Sequence, residues 1–402
     1  MATYSKGVIV KLTPTDVLYY PDGTGAPIPV SGLPDPEGAG GTTQLHAPSG
    51  FVHVAGAGFF GSNNHVYWVD STGAITDTVA IPTSSGFSIT SDAPPAGVTS
   101  DGWVIAPGSN VQPWAVNRQG VLVDSGIAGG FGSYITVSNG SPYVYVVSEN
   151  LIEQWNPSTE QLVTFSPVAA VTGNKNLAFP VIAPDGALLL EALRTDTSAV
   201  RLDRYAVDGT PVFSVVGPSE PTTPSFSDKV FVGVTDTQVF ARDLTDGSTI
   251  SCASLTEINA LPFFLRTVDV VGGTKGLVFV RADANEPDAD VYLADFTPDS
   301  TVGLVGLGAV ADINPDFRAH SPNNLFVVLV VGSELELIDV AAGTRASLTG
   351  ASSSVGANDV LVQHSVFGGG GAEICPPFWQ AFLRSREIDL CGTDDPAAPP
   401  GT

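Results

Sequence analysis

The groups with the widest chemical reach in this 402-residue chain are five histidines, three cysteines and 41 acidic side chains. The densest set of oxygen donors runs Asp283-Ala-Asn285-Glu-Pro-Asp288-Ala-Asp290. Carboxylates and an amide so close together offer the hard ligands that Ca²⁺ prefers, which makes Asp283, Asn285, Asp288 and Asp290 the candidate metal ligands. The spacing departs from an EF-hand loop, without its central Gly or closing Glu, and an exposed acidic loop is the competing reading. His53 and His65, with Gly56, Gly58 and Gly61 between them, form a conceivable metal pair. His53 also reads as a packed side chain of an alternating strand. No HExxH or HxH arrangement occurs. No Gly-x-Ser-x-Gly elbow is followed by a credible acid and His. Gly368–Gly371 lacks the Lys-Ser or Lys-Thr of a phosphate loop. No catalytic residue and no organic cofactor is assigned on these grounds.

The cysteines are Cys252, Cys375 and Cys391, with no CxxC pair to suggest zinc or dithiol chemistry. Cys375 and Cys391 bracket the last aromatic stretch, Phe378-Trp379-Gln-Ala-Phe382. A disulfide between them closes a loop of about 16 residues, which loop-entropy arithmetic values at ~3 kcal/mol. The bond requires an oxidising environment, and two buried free thiols are the alternative.

These residues have to be positioned by short strands, because one unit recurs along the chain. It consists of alternating apolar residues, then Asp or Asn, a tight turn usually with Gly, and another short strand. Examples are Val66-Tyr-Trp-Val-Asp70-Ser-Thr-Gly, Pro113-Trp-Ala-Val-Asn117-Arg-Gln-Gly and Leu202-Asp-Arg-Tyr-Ala-Val-Asp208-Gly. The turn residues are Asp22, Asp70, Asn117, Asn156, Asp208, Asp243, Asp295 and Asp339. An Asp or Asn side chain there can bond its own backbone two residues on, while the following Gly takes φ > 0. The turns recur on average about every 45 residues, the spacing of a four-stranded propeller blade. Val- and Phe-rich runs between them are expected at inner strands covered on both faces: 50–55, 102–106, 143–147, 176–182, 229–234, 276–280 and 324–331. The best helical segment is 377–387.

On this repeat the chain resembles the β-propeller class. The resemblance implies an all-β fold, a single propeller of about eight four-stranded blades (seven possible) over residues 1–392, with a flexible tail at 393–402. Only one short strand precedes the first hairpin, so a C-terminal strand from 359–364 or 385–390 is expected to complete the first blade and close the ring. A β-sandwich or jelly roll is the rival, although no linker divides the chain. No WD40 or kelch signature and no repeated Trp-docking motif narrows the class.

The formal net charge of −25 reflects a shortage of Lys+Arg, 16 against 41 Asp+Glu. With so few cations to displace counterions, nucleic acid and anionic membranes are poor partners. No apolar run reaches the roughly 18 residues of a membrane span, and the first residues lack the apolar core of a secretion signal. The expected function is a non-enzymatic structural or binding propeller in a protein assembly. The sequence resembles a phage or virion propeller in this respect, a tail or capsid-associated component exposed on a virion or extracellular surface. The alternatives are an extracytoplasmic glycoside hydrolase or lyase using the propeller channel, and an interaction scaffold. Expected partners are other proteins of the assembly, with a surface glycan as a further option and no membrane insertion.

Overall fold

The computed structural model describes residues 8–362 apart from 22–25, 35–41, 57–63, 83–95, 108–111, 128–133, 168–176, 195–198, 217–222, 282–288, 311–318, 321–325, 340–343, 353–359 and a few stretches of three residues or fewer. Among the described residues, thirty-two strands form eight four-stranded antiparallel sheets. The first begins with β1 (Val8–Thr13), β2 (Asp16–Tyr20) and β3 (Ile28–Val30). The second comprises β4 (Thr42–Ala47), β5 (Gly50–Ala55), β6 (His65–Asp70) and β7 (Ile75–Ala80). The third holds β8 (Gly97–Val98), β9 (Val104–Pro107), β10 (Pro113–Val116) and β11 (Leu122–Asp124). The fourth holds β12 (Tyr134–Val137), β13 (Val144–Val147), β14 (Ile152–Asn156) and β15 (Gln161–Phe165). The fifth holds β16 (Leu177–Ile182), β17 (Leu188–Arg194), β18 (Ala199–Tyr205) and β19 (Pro211–Val216).

The sixth holds β20 (Thr223–Phe226), β21 (Val230–Val234), β22 (Val239–Asp243) and β23 (Thr249–Ile250). A short helix, α1 (Ala253–Ala260), leads to the seventh: β24 (Leu265–Gly272), β25 (Lys275–Arg281), β26 (Ala289–Asp295) and β27 (Val305–Val310). The eighth holds β28 (Ala319–His320), β29 (Phe326–Val331), β30 (Glu334–Asp339) and β31 (Thr344–Ser352). The last strand, β32 (Val360–Val362), returns to the first sheet and pairs with β1, Val8 opposite Val362 and Val10 opposite Val360. This strand lies in the expected segment 359–364. The segment 385–390, the proposed helix at 377–387 and the tail at 393–402 all lie outside the described residues.

Six turns between a third and a fourth strand are described, and each is built as its sequence dictates; the turns after Asp22 and Asp339 lie outside the described residues. Asp70 Oδ1 accepts from the backbone N–H of Thr72 at 2.8 Å and of Ala74 at 3.1 Å. Asn117 does the same for Gln119 and Val121, both at 3.0 Å. Asn156, Asp208, Asp243 and Asp295 each take the N–H two residues on, at 2.7–3.2 Å. Gly73, Gly120, Gly209 and Gly247 follow with φ between 77° and 82°, a region an L side chain enters only at a cost. The turn of the fourth sheet has no Gly, and Glu160 takes φ 56° instead.

The apolar residues form a chain of cores between successive sheets, not one centre. Alternation along a strand sends neighbouring residues to opposite faces. Phe51 and Val69 therefore meet Tyr19 and Val30 of the first sheet, while Val52, Val54 and Trp68 meet Val98 and Val104 of the third. Equivalent clusters join the third sheet to the fourth, the fourth to the fifth, the fifth to the sixth and the sixth to the seventh. The Val- and Phe-rich runs lie mostly in second strands; only 176–182 falls in a first strand. A second strand has a partner on each edge and a sheet over each face, so β5 and β13 are buried throughout. Several first strands are short and weakly apolar, such as β8 and β28.

Helix α1 escapes sequence periodicity because it buries only Ser254 and Ile258. Its insertion accounts for the long interval between Asp243 and Asp295. Ser254 Oγ donates to the Val302 carbonyl at 3.0 Å and accepts from the Asp295 N–H at 3.1 Å. The Asn259 amide pairs with both the N–H and the carbonyl of Val239, each at 2.8 Å, like an extra rung of sheet.

Candidate functional site: the seams between sheets and the outer hairpins

The polar side chains gathered inside the molecule sit in the seams. His53, fully buried in β5, lies opposite Gln44 of β4 and Tyr67 of β6. Its Nε2–H donates to the Pro34 carbonyl at 2.9 Å, and its Nδ1 accepts from the Gln44 amide at 3.1 Å. Those two bonds define one neutral tautomer and engage both ring nitrogens, so the ring holds the segment after β3 onto the second sheet. His65 stacks on Tyr67 with centroids 5.9 Å apart, and Tyr67 also meets His53 at 5.8 Å. The structure thus joins the two histidines through a tyrosine, not through a common metal position.

Between the fourth and fifth sheets, Gln154 donates to the Tyr145 hydroxyl at 2.7 Å and to the Val207 carbonyl at 2.6 Å, and Tyr145 donates to Gly186 O at 2.8 Å. Burial pushes the Tyr145 phenol well above the usual tyrosine range, only partly opposed by the Gln154 bond. Tyr20, buried at the end of β2, is pushed up to about 12 for the same reason. Asp203, also buried, accepts from Arg201 Nε at 2.9 Å, from the Tyr205 hydroxyl at 3.2 Å and from Ser214. Arg204 spans to the sixth sheet, donating to the Leu244 carbonyl and pairing with Asp185 at 2.6 Å. Arg242 reaches back from the sixth sheet to Val216 O of the fifth at 2.8 Å. Trp103 of the third sheet donates its indole N–H to Ser158 Oγ of the fourth at 2.8 Å, and Ser158 donates to Asp101.

The hairpin turns serve the same seams. A Cβ added to Gly73 would stand 2.8 Å from Ile28 of the first sheet, and one at Gly120 would stand 3.6 Å from Val79 of the second. At Gly209 it would stand 2.7 Å from Phe165 of the fourth, and at Gly247 2.8 Å from Val215 of the fifth. Each of these turns therefore packs against the outer strand of the preceding sheet. In the fourth sheet, whose turn has no glycine, Ser158 reaches the third sheet by hydrogen bonds at the β8–β9 turn.

Of the candidate calcium ligands, Asp283, Asn285 and Asp288 lie outside the described residues. Asp290 is exposed at the start of β26, where it bonds the Tyr292 hydroxyl. Among the described residues no three His, Cys, Asp or Glu side chains are grouped to hold a metal ion. Cys375 and Cys391 also lie outside the described residues. Cys252 is a buried free thiol, its pKa raised chiefly by burial. No helix among the described residues is long and apolar enough to cross a membrane. What sequence reasoning missed is the seam network itself, whose signal was the recurrence of Gly, Arg and Gln around the turns.

No protein-family model matches the sequence, and neither does any curated protein. Solved structures do resemble it. A eukaryotic initiation factor aligns at TM-score 0.50 with 10% identity, over 86% of this chain and 85% of its own. The dihydro-heme d1 dehydrogenase NirN, in complex with DHE, aligns at TM-score 0.50 with 12% identity, over 87% and 74%. BamB from Moraxella catarrhalis aligns at TM-score 0.42 with 13% identity, over 77% and 88%. The likeness is one of fold alone. The chain is an all-β repeat protein of eight small antiparallel sheets, the number of blades expected from its turns.

Proposed function

We propose that the eight sheets close into a single propeller acting as a non-enzymatic component of a protein assembly, a virion tail or capsid-associated part or another surface-exposed particle component. Closure is supported by the order of neighbours: β32 lies beside β4, β4 beside β8, β8 beside β12, β12 beside β16, β20 beside β24, and β28 beside β32. Leu18 and Pro27 of the first sheet lie 3.9 Å from where a Cβ on Gly350 of the eighth would stand. The observation carrying the functional reading is that His53, Arg204 and Ser158, groups able to do chemistry, are committed to holding sheets together. A cation-poor exterior suits a part that has to stay soluble before incorporation. Mass-spectrometric identification in purified particles tests the reading. Recovery solely as a free monomer, absent from every particle fraction, overturns it.

A further inference from the structure

We propose that the outer hairpins form a docking belt for a cationic protein surface that carries its own aliphatic side chains, an inference that deepens the assembly reading and rests on it. Most exposed large aliphatics among the described residues lie at outer strands, with Leu12 and Leu151 the exceptions. Ile75, Val121, Leu162, Val212 and Val302 are 43–55% exposed, and each stands on or just before the outer strand of a different sheet, close to the Asp or Asn turn. Each has a carboxylate nearby in the chain: Asp77, Asp124, Glu160, Asp208 and Asp299 in turn. Single exposed aliphatics are ordinary, but the same placement in five repeats is a pattern.

Outer strands are the ones proteins usually protect with lysine, since an uncovered edge templates pairing with another chain. Here the eight outer strands carry a single cation, Arg345 of β31. Arg204 and Arg242 are spent at the seams, on Leu244 and Val216 carbonyls, and Arg201 is spent within the fifth sheet on Asp203. The belt is therefore aliphatic and acidic, with few cations to guard its edge: Arg345 on β31 and Arg118, which stands 3.9 Å from Asp77. A second copy is a poor occupant because the net charge of −25 repels it. A cationic surface is drawn by the same charge, and its aliphatics cover the exposed ones.

The test uses the full chain and two synthetic peptides of equal charge, one alternating Leu and Lys, the other Ser and Lys. The wild type should bind the Leu–Lys peptide at least about tenfold more tightly, by burial of aliphatic surface, and more weakly as salt rises. A combined Val121→Ser, Leu162→Ser, Val212→Ser variant should keep the wild-type unfolding midpoint and lose that preference. If its midpoint falls, Ile75→Ser alone serves, with a smaller loss expected. Equal binding of both peptides by the wild type, or an undiminished preference in the variants, overturns the belt. Incorporation into particles separates the two readings. Wild type present with the variant excluded supports the belt, and both present at equal level overturns it while leaving the assembly role. Peptide preference in a protein absent from particles supports the belt and removes that role.

Discussion

Replacing Gly209 by Ala isolates the contact between a turn and the sheet before it. The residue has φ 81°, and a methyl group there would stand 2.7 Å from Phe165 Cδ1 and 2.9 Å from Cγ. Phe165 cannot simply retreat, because its ring lies against Tyr205 with centroids 5.4 Å apart. The left-handed backbone alone costs an L residue roughly 1–2 kcal/mol. About 0.4–1 kcal/mol of that is returned by lower entropy of the unfolded chain. Gly102→Ala measures this balance separately, since Gly102 has φ 88° and nothing within 4 Å of the added Cβ. Overpacking against Phe165 should add about 1–3 kcal/mol at Gly209. Urea unfolding reads the difference as a lower midpoint at unchanged slope. Adding Phe165→Ala should make Gly209→Ala cheaper than in the parent, a non-additivity confined to touching residues. Equal losses at Gly102 and Gly209, or strict additivity with Phe165→Ala, would refute the claim that the turn locks the sheets.

Hydrogen bonds hold the Asp70 carboxyl, chiefly through the Thr72 hydroxyl, and the Asp208 carboxyl, chiefly through the Thr210 N–H, below the usual carboxylate range. Because the folded values are the lower ones, this stabilisation is present at neutral pH and fades as pH falls from about 4 through them. Asp70→Asn with Asp208→Asn should flatten the acid limb of a stability–pH curve, as Asn117 and Asn156 already serve the same turns uncharged. Ser158→Ala removes the acceptor of the buried Trp103 indole and should cost about 1–3 kcal/mol, with faster amide exchange between the third and fourth sheets. Thiol counting under denaturing, non-reducing conditions tests the C-terminal bond: three free thiols exclude the Cys375–Cys391 disulfide, and one supports it. The belt triple variant should leave thermal stability unchanged while losing the Leu–Lys peptide.

Much of the fold was legible because one local rule, an Asp or Asn accepting from the backbone two residues on, is repeated with little disguise. Eight turns announced eight sheets, and the single strand before the first hairpin called for a returning partner, which β32 supplies. The first strands were less visible: Gly97–Val98 and Ala319–His320 are too short to show a period. Helix α1 lacks an apolar stripe, being anchored by Ser254 and Asn259. The second duty of the turn glycines was hidden because a glycine chosen for φ and one chosen for a close neighbour look alike in sequence. His53 shows the opposite case, where a residue type that suggests chemistry proves to be a cross-link once both nitrogens are located.

The pairing of β1 with β32 sets a clock on synthesis. Val8 emerges from the ribosome about 350 residues before its partner Val362. At roughly 5–20 residues per second that is on the order of 20–70 s. Throughout that interval the apolar strand Val8-Ile-Val10 presents a vacant edge to other nascent chains on the same messenger. The acidic excess then acts as a timer's safeguard: neighbouring chains carry the same sign and are kept apart until β1 meets the β32 of its own chain.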